Sequence, residues 1–406
     1  MTDRPRLAVR LTKDAMRQVR AGHPWVFDRS ITQIRPEGEG EAGDLAVVFD
    51  DKRRFSAIGL YDPDSPIRIK LLHHGAPVQV GPELWDERLQ AALALRASLV
   101  ASTHTDAFRW VNGENDAMPG LVLDVYRGTV VMKLYTEAWF PYVDEIVDAV
   151  VRARAPERIV LRLSRTVASA QDRWHDGTAL VGTLPDGPVR FLENDLTFEA
   201  DVVAGQKTGH FLDQRENRLL VRGLSGSARV LDVYACTGGF SVNAAAGGAR
   251  LVHSVDISAA AIETTRRNMA ANRDRPAVRA CRHHWSVGDA MTVMAEMIDE
   301  RRTFDVVVVD PPSFARRRSQ VEGALRAYAR LTRLALDLVE PGGVLVQASC
   351  SSRVTTEEFH ATVLAAADES DRRLIDVLRT GHAADHPIGF PEGEYLKGII
   401  ATVGAR

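Results

Sequence analysis

The sequence is short of several features, and each shortage closes a class of explanation. It holds three cysteines, Cys236, Cys281 and Cys350, with no CxxC pair and no histidine at zinc-ligand spacing, so neither a disulfide frame nor a metal site is expected. No apolar run reaches the about 18 residues that span a bilayer, and Met1-Thr2-Asp3-Arg4-Pro5-Arg6 leads into no hydrophobic signal core. The expectation is a soluble, cytoplasmic protein with no membrane partner. Charge of one sign is lacking too. The 51 lysines and arginines against 54 aspartates and glutamates leave a formal net charge of −3, which speaks against a protein that coats nucleic acid with its whole surface. Proline and glycine are not enriched towards disorder, and there is no internal repeat or low-complexity tract.

What is present is a globular composition, 45% hydrophobic and 26% charged, over 406 residues, which is long enough for two or three domains. The chain reads as three parts. Residues 1–75 suggest a small β-barrel: a basic amphipathic helix from Lys13 to Ala21, then His23-Pro24-Trp25-Val26-Phe27, then short strands at 45–49, 55–61 and 67–71. Residues 76–190 suggest an α+β unit, with a helix from Pro82 to Ala101 and strands at 121–126 and 129–134. From 191 to 406, β runs alternate with longer helical stretches, the pattern of a doubly wound parallel sheet. Basic clusters lie at Arg4, Arg6, Arg10, Lys13, Arg17 and Arg20 and at Arg316-Arg317-Arg318. Most such runs are solvated faces, but the second follows directly on a motif with chemistry.

Strands are expected in the third part at 229–234, 251–256, 304–310 and 343–348, three of them ending at or near an acidic residue. In a doubly wound sheet, ligands bind beyond the carboxyl ends of the strands, so these carboxylates converge on one crevice. Asp232-Val233-Tyr234-Ala235-Cys236-Thr237-Gly238-Gly239-Phe240 is a glycine-containing strand-to-helix turn that departs from the G-x-G-x-x-G of dinucleotide sites. Asp256 can accept both hydroxyls of a ribose, and Asp289 can hold an adenine amine. A glycine turn with two such carboxylates and no phosphate fingerprint suits S-adenosylmethionine better than NAD. Taken singly, each aspartate is an ordinary cap or loop residue.

Two further motifs follow apolar strands. Asp310-Pro311-Pro312-Ser313-Phe314 comes after four consecutive valines and reads as the floor for a flipped base: the prolines fix the turn, Asp310 or a backbone carbonyl can accept hydrogen bonds from the base edge, and Phe314 can stack on the base face. That motif also serves enzymes that methylate exocyclic nitrogens. Ser349-Cys350-Ser351 adds a thiol. Carbon 5 of a pyrimidine becomes nucleophilic only after a thiolate adds to carbon 6, whereas nitrogen methylation needs no thiol. A lone cysteine is ordinarily a small buried hydrophobe, but Cys350 lies past its strand end between two serines. Cys236 and Cys281 lack that placement.

With these motifs in hand, the chain resembles the bacterial 23S ribosomal RNA cytosine-C5 methyltransferases of the large-subunit methyltransferase I type. His23-Pro24-Trp25-Val26-Phe27 is similar to the start of that family's PUA domain. Gly113-Glu114-Asn115-Asp116-Ala117-Met118-Pro119-Gly120-Leu121 is similar to a run in its central domain, and Gln206-Lys207-Thr208-Gly209-His210-Phe211-Leu212-Asp213-Gln214-Arg215 to its segment leading into the cofactor domain. Ala384-Asp385-His386-Pro387 and Pro391-Glu392-Gly393-Glu394-Tyr395-Leu396-Lys397-Gly398 fit as well. The resemblance implies an α/β fold: a Rossmann-like class I methyltransferase domain with an N-terminal PUA-like barrel and a central α+β domain. It implies that Cys350 is the nucleophile, that Asp310 assists at the base, and that Asp232, Gly238, Asp256 and Asp289 line the S-adenosylmethionine site with Gln214 and Arg215 as its cap. Pro311, Pro312 and Phe314 then hold the base. Ser313 stands where some members carry lysine, which leaves its role open. The implied partner is 23S rRNA or a large-subunit precursor, and relatives that dimerise make a homodimer an expectation to test. The competing activity is methylation of an exocyclic amine or of guanine N7, and the competing non-enzymatic role is an RNA-binding module that has lost its chemistry.

Overall fold

The computed structural model describes residues 6–36, 40–167, 173–205 and 207–404. Arg4 and Gln206, named above, lie outside the described residues. The chain forms two compact units. The first comprises residues 1–191, 200–210 and 384–391, and the second residues 192–199, 211–383 and 392–406.

The first unit holds two sheets. Strands β1 (Arg6–Leu11), β2 (Trp25–Phe27), β3 (Ile31–Arg35), β4 (Leu45–Phe49), β5 (Phe55–Tyr61) and β6 (Ile67–His74) form a six-stranded sheet in the order β2-β6-β5-β4-β1-β3, antiparallel except for β1 beside β4. The helix Lys13–Arg20 buries Ala15, Met16 and Val19 against the sheet and leaves its basic residues to solvent. Thr12 starts the helix by accepting the Ala15 N–H on its side chain. Strands β7 (Ala107–Asn112), β8 (Leu121–Tyr126), β9 (Thr129–Leu134), β10 (Arg158–Leu163) and β11 (Thr178–Val181) form the second sheet in the order β11-β10-β9-β8-β7. One core joins the two sheets, with Leu45, Ile58 and Leu72 of the first packed in a cluster with Trp110 of the second and with Trp85 and Trp139 from the helical segments beside it.

The expected helix from Pro82 to Ala101 is two pieces, Pro82–Leu95 and Ala97–Val100. The break falls at Arg96, whose buried guanidinium forms a two-bond fork to Asp116 (both 2.7 Å) and donates to the Asp385 carbonyl at 2.8 Å. Asp385 also accepts the backbone N–H of Arg109, which pins residues 384–391 into this unit.

After a hairpin of β12 (Val189–Glu193) and β13 (Leu196–Ala200), the second unit is built on a seven-stranded sheet. Its strands are β14 (Arg229–Val233), β15 (Leu251–Asp256), β16 (Arg282–Val287), β17 (Phe304–Val309), β18 (Val339–Ser349), β19 (Leu374–Thr380) and β20 (Lys397–Val403), in the order β16-β15-β14-β17-β18-β20-β19. The first five run parallel, and β20 inserts antiparallel between β18 and β19. Val306 to Val309 are buried, as a central parallel strand covered on both faces requires. The chain builds outward from β14 through β15 to β16 and returns to β17 on the other side of β14. That reversal is the topological switch point at which such sheets bind ligands.

Candidate active site

The turn after β14 is held in an unusual backbone path. Tyr234 (φ 65°), Cys236 (φ 51°) and Gly238 (φ 76°) all lie in the left-handed region. Gly238 is required, because a Cβ there would meet Thr265 Cγ2 at 2.5 Å. Thr265 in turn donates to the Cys236 carbonyl at 3.0 Å, and Asn268 to the Thr237 carbonyl at 2.8 Å, so the helix Ala259–Ala271 braces the turn from outside.

Asp232 is fully buried. One carboxylate oxygen accepts the Ser241 N–H at 2.9 Å and the Ser241 hydroxyl at 2.6 Å, which ties β14 to the helix Gly239–Ala246. The other oxygen has no hydrogen-bond partner among the described residues, and burial pushes the carboxyl up to about 6, against the two Ser241 bonds and with the Asp256 charge adding to the rise. Asp256 ends β15, accepting the Cys236 N–H at 2.9 Å on one oxygen and the Ser258 N–H at 2.8 Å on the other. Each oxygen keeps capacity for another donor. The next residue, Ile257, is 73% exposed, an apolar surface directly beside that carboxylate. Asp289 is exposed and caps the helix Ala290–Asp299 through Thr292. Tyr234 belongs to the same cluster: burial first, then the charges of Asp289 and Asp256, push its phenol up to about 12.

These residues fit S-adenosylmethionine. Asp256 offers acceptors for ribose hydroxyls, Ile257 an apolar face for adenine, and the Gly238 turn a backbone that a ligand can approach without a side chain in the way. Gln214 and Arg215 start the helix Arg215–Gly223, which packs on Gly239–Ala246, and both are buried. Gln214 accepts from Asn217 at 2.6 Å, leaving its own amide nitrogen buried without a partner among the described residues. Three residues on from Arg215, Arg218 forms a buried pair with Glu193, its Nε donating at 2.7 Å.

On the other side of the switch point the two motifs meet. The Cys350 thiol donates to the Pro311 carbonyl at 3.7 Å, which sets it one residue from Asp310. Ser351 links the loops: its hydroxyl oxygen accepts the N–H groups of Phe314 (3.0 Å) and Ala315 (3.3 Å) and lies 3.3 Å from Ser313 Oγ and 2.9 Å from the Tyr328 hydroxyl. Ser349 donates to that same tyrosine at 2.8 Å. Tyr328 is held above its ordinary phenol value, first by burial, with Cys350 and Asp310 adding to the rise. Pro312 is exposed and Pro311 buried, and Phe314 is half-buried with its ring 5.1 Å from that of Tyr328 at 48°. Lys397, at the start of β20, donates to the carbonyls of Ser351 and Val354.

Tyr234, Ile257, Tyr328, Ser351 and Lys397 carry no role in the sequence reading. The apolar residue directly after a strand-terminal carboxylate was a usable signal for Ile257; the others depend on long-range packing.

The fold and the crevice define the class: the chain belongs to the S-adenosylmethionine-dependent methyltransferases, and that family's model matches residues 148–379. A PUA-like domain model matches residues 9–74. Within the class it belongs with proteins that carry the name ribosomal RNA large subunit methyltransferase. One, from Deinococcus radiodurans, is 47% identical over 403 residues, covering 98% of this chain and 97% of that protein. Another, ribosomal RNA large subunit methyltransferase I of Shewanella frigidimarina, is 32% identical over 400 residues, 98% of this chain and 99% of its own. Among solved structures, a protein described as a SAM-dependent methyltransferase from Streptococcus mutans superposes with a TM-score of 0.81 at 20% identity, covering 97% of this chain and 99% of its own. A methyltransferase solved in complex with SAH gives 0.81 at 21%, covering 98% and 99%. At these identities the superpositions establish the fold. No described helix is long and apolar enough to cross a membrane.

Proposed function

We propose that the protein methylates carbon 5 of a cytosine in 23S rRNA, or in its large-subunit precursor, through a covalent bond between Cys350 and carbon 6 of the base. The observation that carries this reading is the seating of the Cys350 thiol on the Pro311 carbonyl, beside Asp310, at the switch point of the sheet. An amine acceptor would leave that thiol without a task. The names of the relatives support ribosomal RNA as the substrate, and the PUA-like segment with the basic residues of the first helix suits a phosphate backbone.

The target cytosine leaves its stack and enters against Pro312 and Phe314. The Cys350 thiolate adds to carbon 6, forming a C–S bond, while Asp310 holds the base edge where the ring takes up a proton. When bound, S-adenosylmethionine would supply the methyl, whose bond to the sulfonium sulfur breaks as its bond to the activated carbon 5 forms, with S-adenosylhomocysteine as the leaving group. Release of the proton the ring took up, and loss of the carbon 5 proton, then restore the ring double bond, break the C–S bond and return the thiolate to Cys350. Asp256 and the Gly238 turn hold the cofactor, with Asp289 at its adenine end, Asp232 bracing the turn from below and Gln214 and Arg215 closing over it.

Incubation with tritiated S-adenosylmethionine and unmodified large-subunit rRNA, followed by digestion to nucleosides and mass spectrometry, tests the assignment. Labelled 5-methylcytidine is expected. Labelled methylguanosine would refute the cysteine mechanism and move the site to amine or N7 chemistry.

A further inference from the structure

Lys397 is 1% exposed and sits opposite Ser349 in the β18–β20 register. Its ammonium donates to the Ser351 carbonyl at 2.7 Å and the Val354 carbonyl at 2.5 Å, the two ends of the turn that follows Cys350. Among the described residues it forms no ion pair with a carboxylate. A buried ammonium held only by neutral carbonyls is costly, and an apolar side chain of similar length would fill the same space without that cost. The charge therefore asks for a reason.

The groups around it supply one. Burial pulls the Lys397 ammonium down to about 8, and the negative charges that oppose this fall are, in order, Glu394, Cys350 and Glu358. Glu394 precedes β20 and accepts from Thr356, and Glu358 accepts the Thr355 N–H in the capping box that starts the helix Thr356–Asp368. Cys350 is the third of these groups, and its charge appears only when the nucleophile is made. From the other elements packed there, Tyr328 is held neutral and Asp310 brings a further carboxylate, and neither favours a thiolate. His360, buried on the same helix as Glu358, bonds to the Gly398 carbonyl at 3.1 Å and is kept neutral by burial.

We infer that Lys397 is a positioning residue for methyl transfer: it fixes the Cys350 turn through two carbonyls and supplies the positive field that keeps Cys350 a thiolate at neutral pH. This rests on the reading of Cys350 as nucleophile. An ammonium fixed in a low-dielectric pocket stabilises a neighbouring thiolate far more than one in water does.

The test is the pH dependence of Cys350 alkylation by iodoacetamide in the intact chain, followed on the Cys350 peptide by mass spectrometry so that Cys236 and Cys281 do not interfere. For Lys397→Met, the alkylation midpoint is expected to rise by about one pH unit or more, and kcat at pH 7 to fall about tenfold and to recover as pH rises. KM for S-adenosylmethionine is expected to stay within about twofold, the cofactor being held elsewhere. An unmoved midpoint in a variant that still binds the cofactor overturns the inference. Should Lys397→Met fail to fold, Lys397→Arg decides. Its guanidinium stays charged across the range, so its alkylation curve should be a single step where the wild-type curve is broadened by Lys397 losing its own proton. Superimposable curves overturn the inference. The product nucleoside separates this outcome from the parent reading: 5-methylcytidine with an unmoved midpoint removes the role of Lys397 alone, whereas methylguanosine removes the nucleophile itself.

Discussion

The hydroxyl oxygen of Ser351 accepts the backbone N–H of Phe314 at 3.0 Å, and through that bond the loop carrying Asp310 and the loop carrying Cys350 move as one piece. The same oxygen takes the Ala315 N–H and meets the hydroxyl of Tyr328. Removing it leaves two N–H donors and a phenol to find other partners. Ser351→Ala is therefore expected to cost about 1–3 kcal/mol of stability and to lower kcat while leaving S-adenosylmethionine affinity nearly unchanged. Denaturant unfolding and a cofactor titration on the same preparation check both halves.

Gly238 leaves no room for a side chain and sits at φ 76°. Gly238→Ala should destabilise the second unit by more than about 1 kcal/mol and weaken cofactor binding, since the Cβ must displace Thr265 Cγ2. The double variant with Thr265→Ser removes that methyl but keeps the hydroxyl that bonds Cys236. It should recover part of the loss in isothermal titration, leaving the backbone share.

Asp232 makes stability depend on pH in a definite sense. Burial raises its folded value to about 6, above the 3.8 of an ordinary aspartate. The unfolded chain thus releases its proton at lower pH than the folded one, and the stability this carboxyl contributes is full below the unfolded value and lost as pH rises through the folded value. Asp232→Asn keeps an acceptor for Ser241 and carries no charge. Its stability relative to wild type should improve by about 2–3 kcal/mol between pH 3.5 and pH 7 in urea unfolding. A parallel pair of curves over that range would contradict the assignment.

Arg218 and Glu193 pair with side chains 3% and 1% exposed. Arg218→Ala strands a buried carboxylate and should cost about 3–5 kcal/mol, whereas the double replacement Arg218→Met with Glu193→Leu should cost much less. Thermal unfolding of the three proteins separates these outcomes.

Much of this was legible in the sequence, for physical reasons. Strand β15 and strands β5, β8 and β9 fall on the expected residues, because short apolar runs bounded by turn residues leave few alternatives. The expected strand ends also put Asp232, Asp256 and Asp310 at one edge of the sheet, since a parallel sheet aligns its carboxyl ends. Other features were hidden. Lys397 reaches Ser351 only because β20 inserts antiparallel between β18 and β19, a pairing with no local signature. Tyr328 lies in an amphipathic helix and reads as core until its hydroxyl is seen to meet Ser349 and Ser351. The helix break at Arg96 depends on Asp116 and Asp385, the latter far away in the chain.

The most direct test of the covalent mechanism uses RNA in which cytidine is replaced by 5-fluorocytidine. Fluorine at carbon 5 cannot leave as a proton, so a base that has been attacked and methylated stays bonded to its nucleophile. With S-adenosylmethionine present, the account requires a stable protein–RNA adduct whose linked peptide contains Cys350, and no adduct with Cys350→Ala. An adduct on another residue, or full methylation of ordinary RNA by Cys350→Ala, would contradict it.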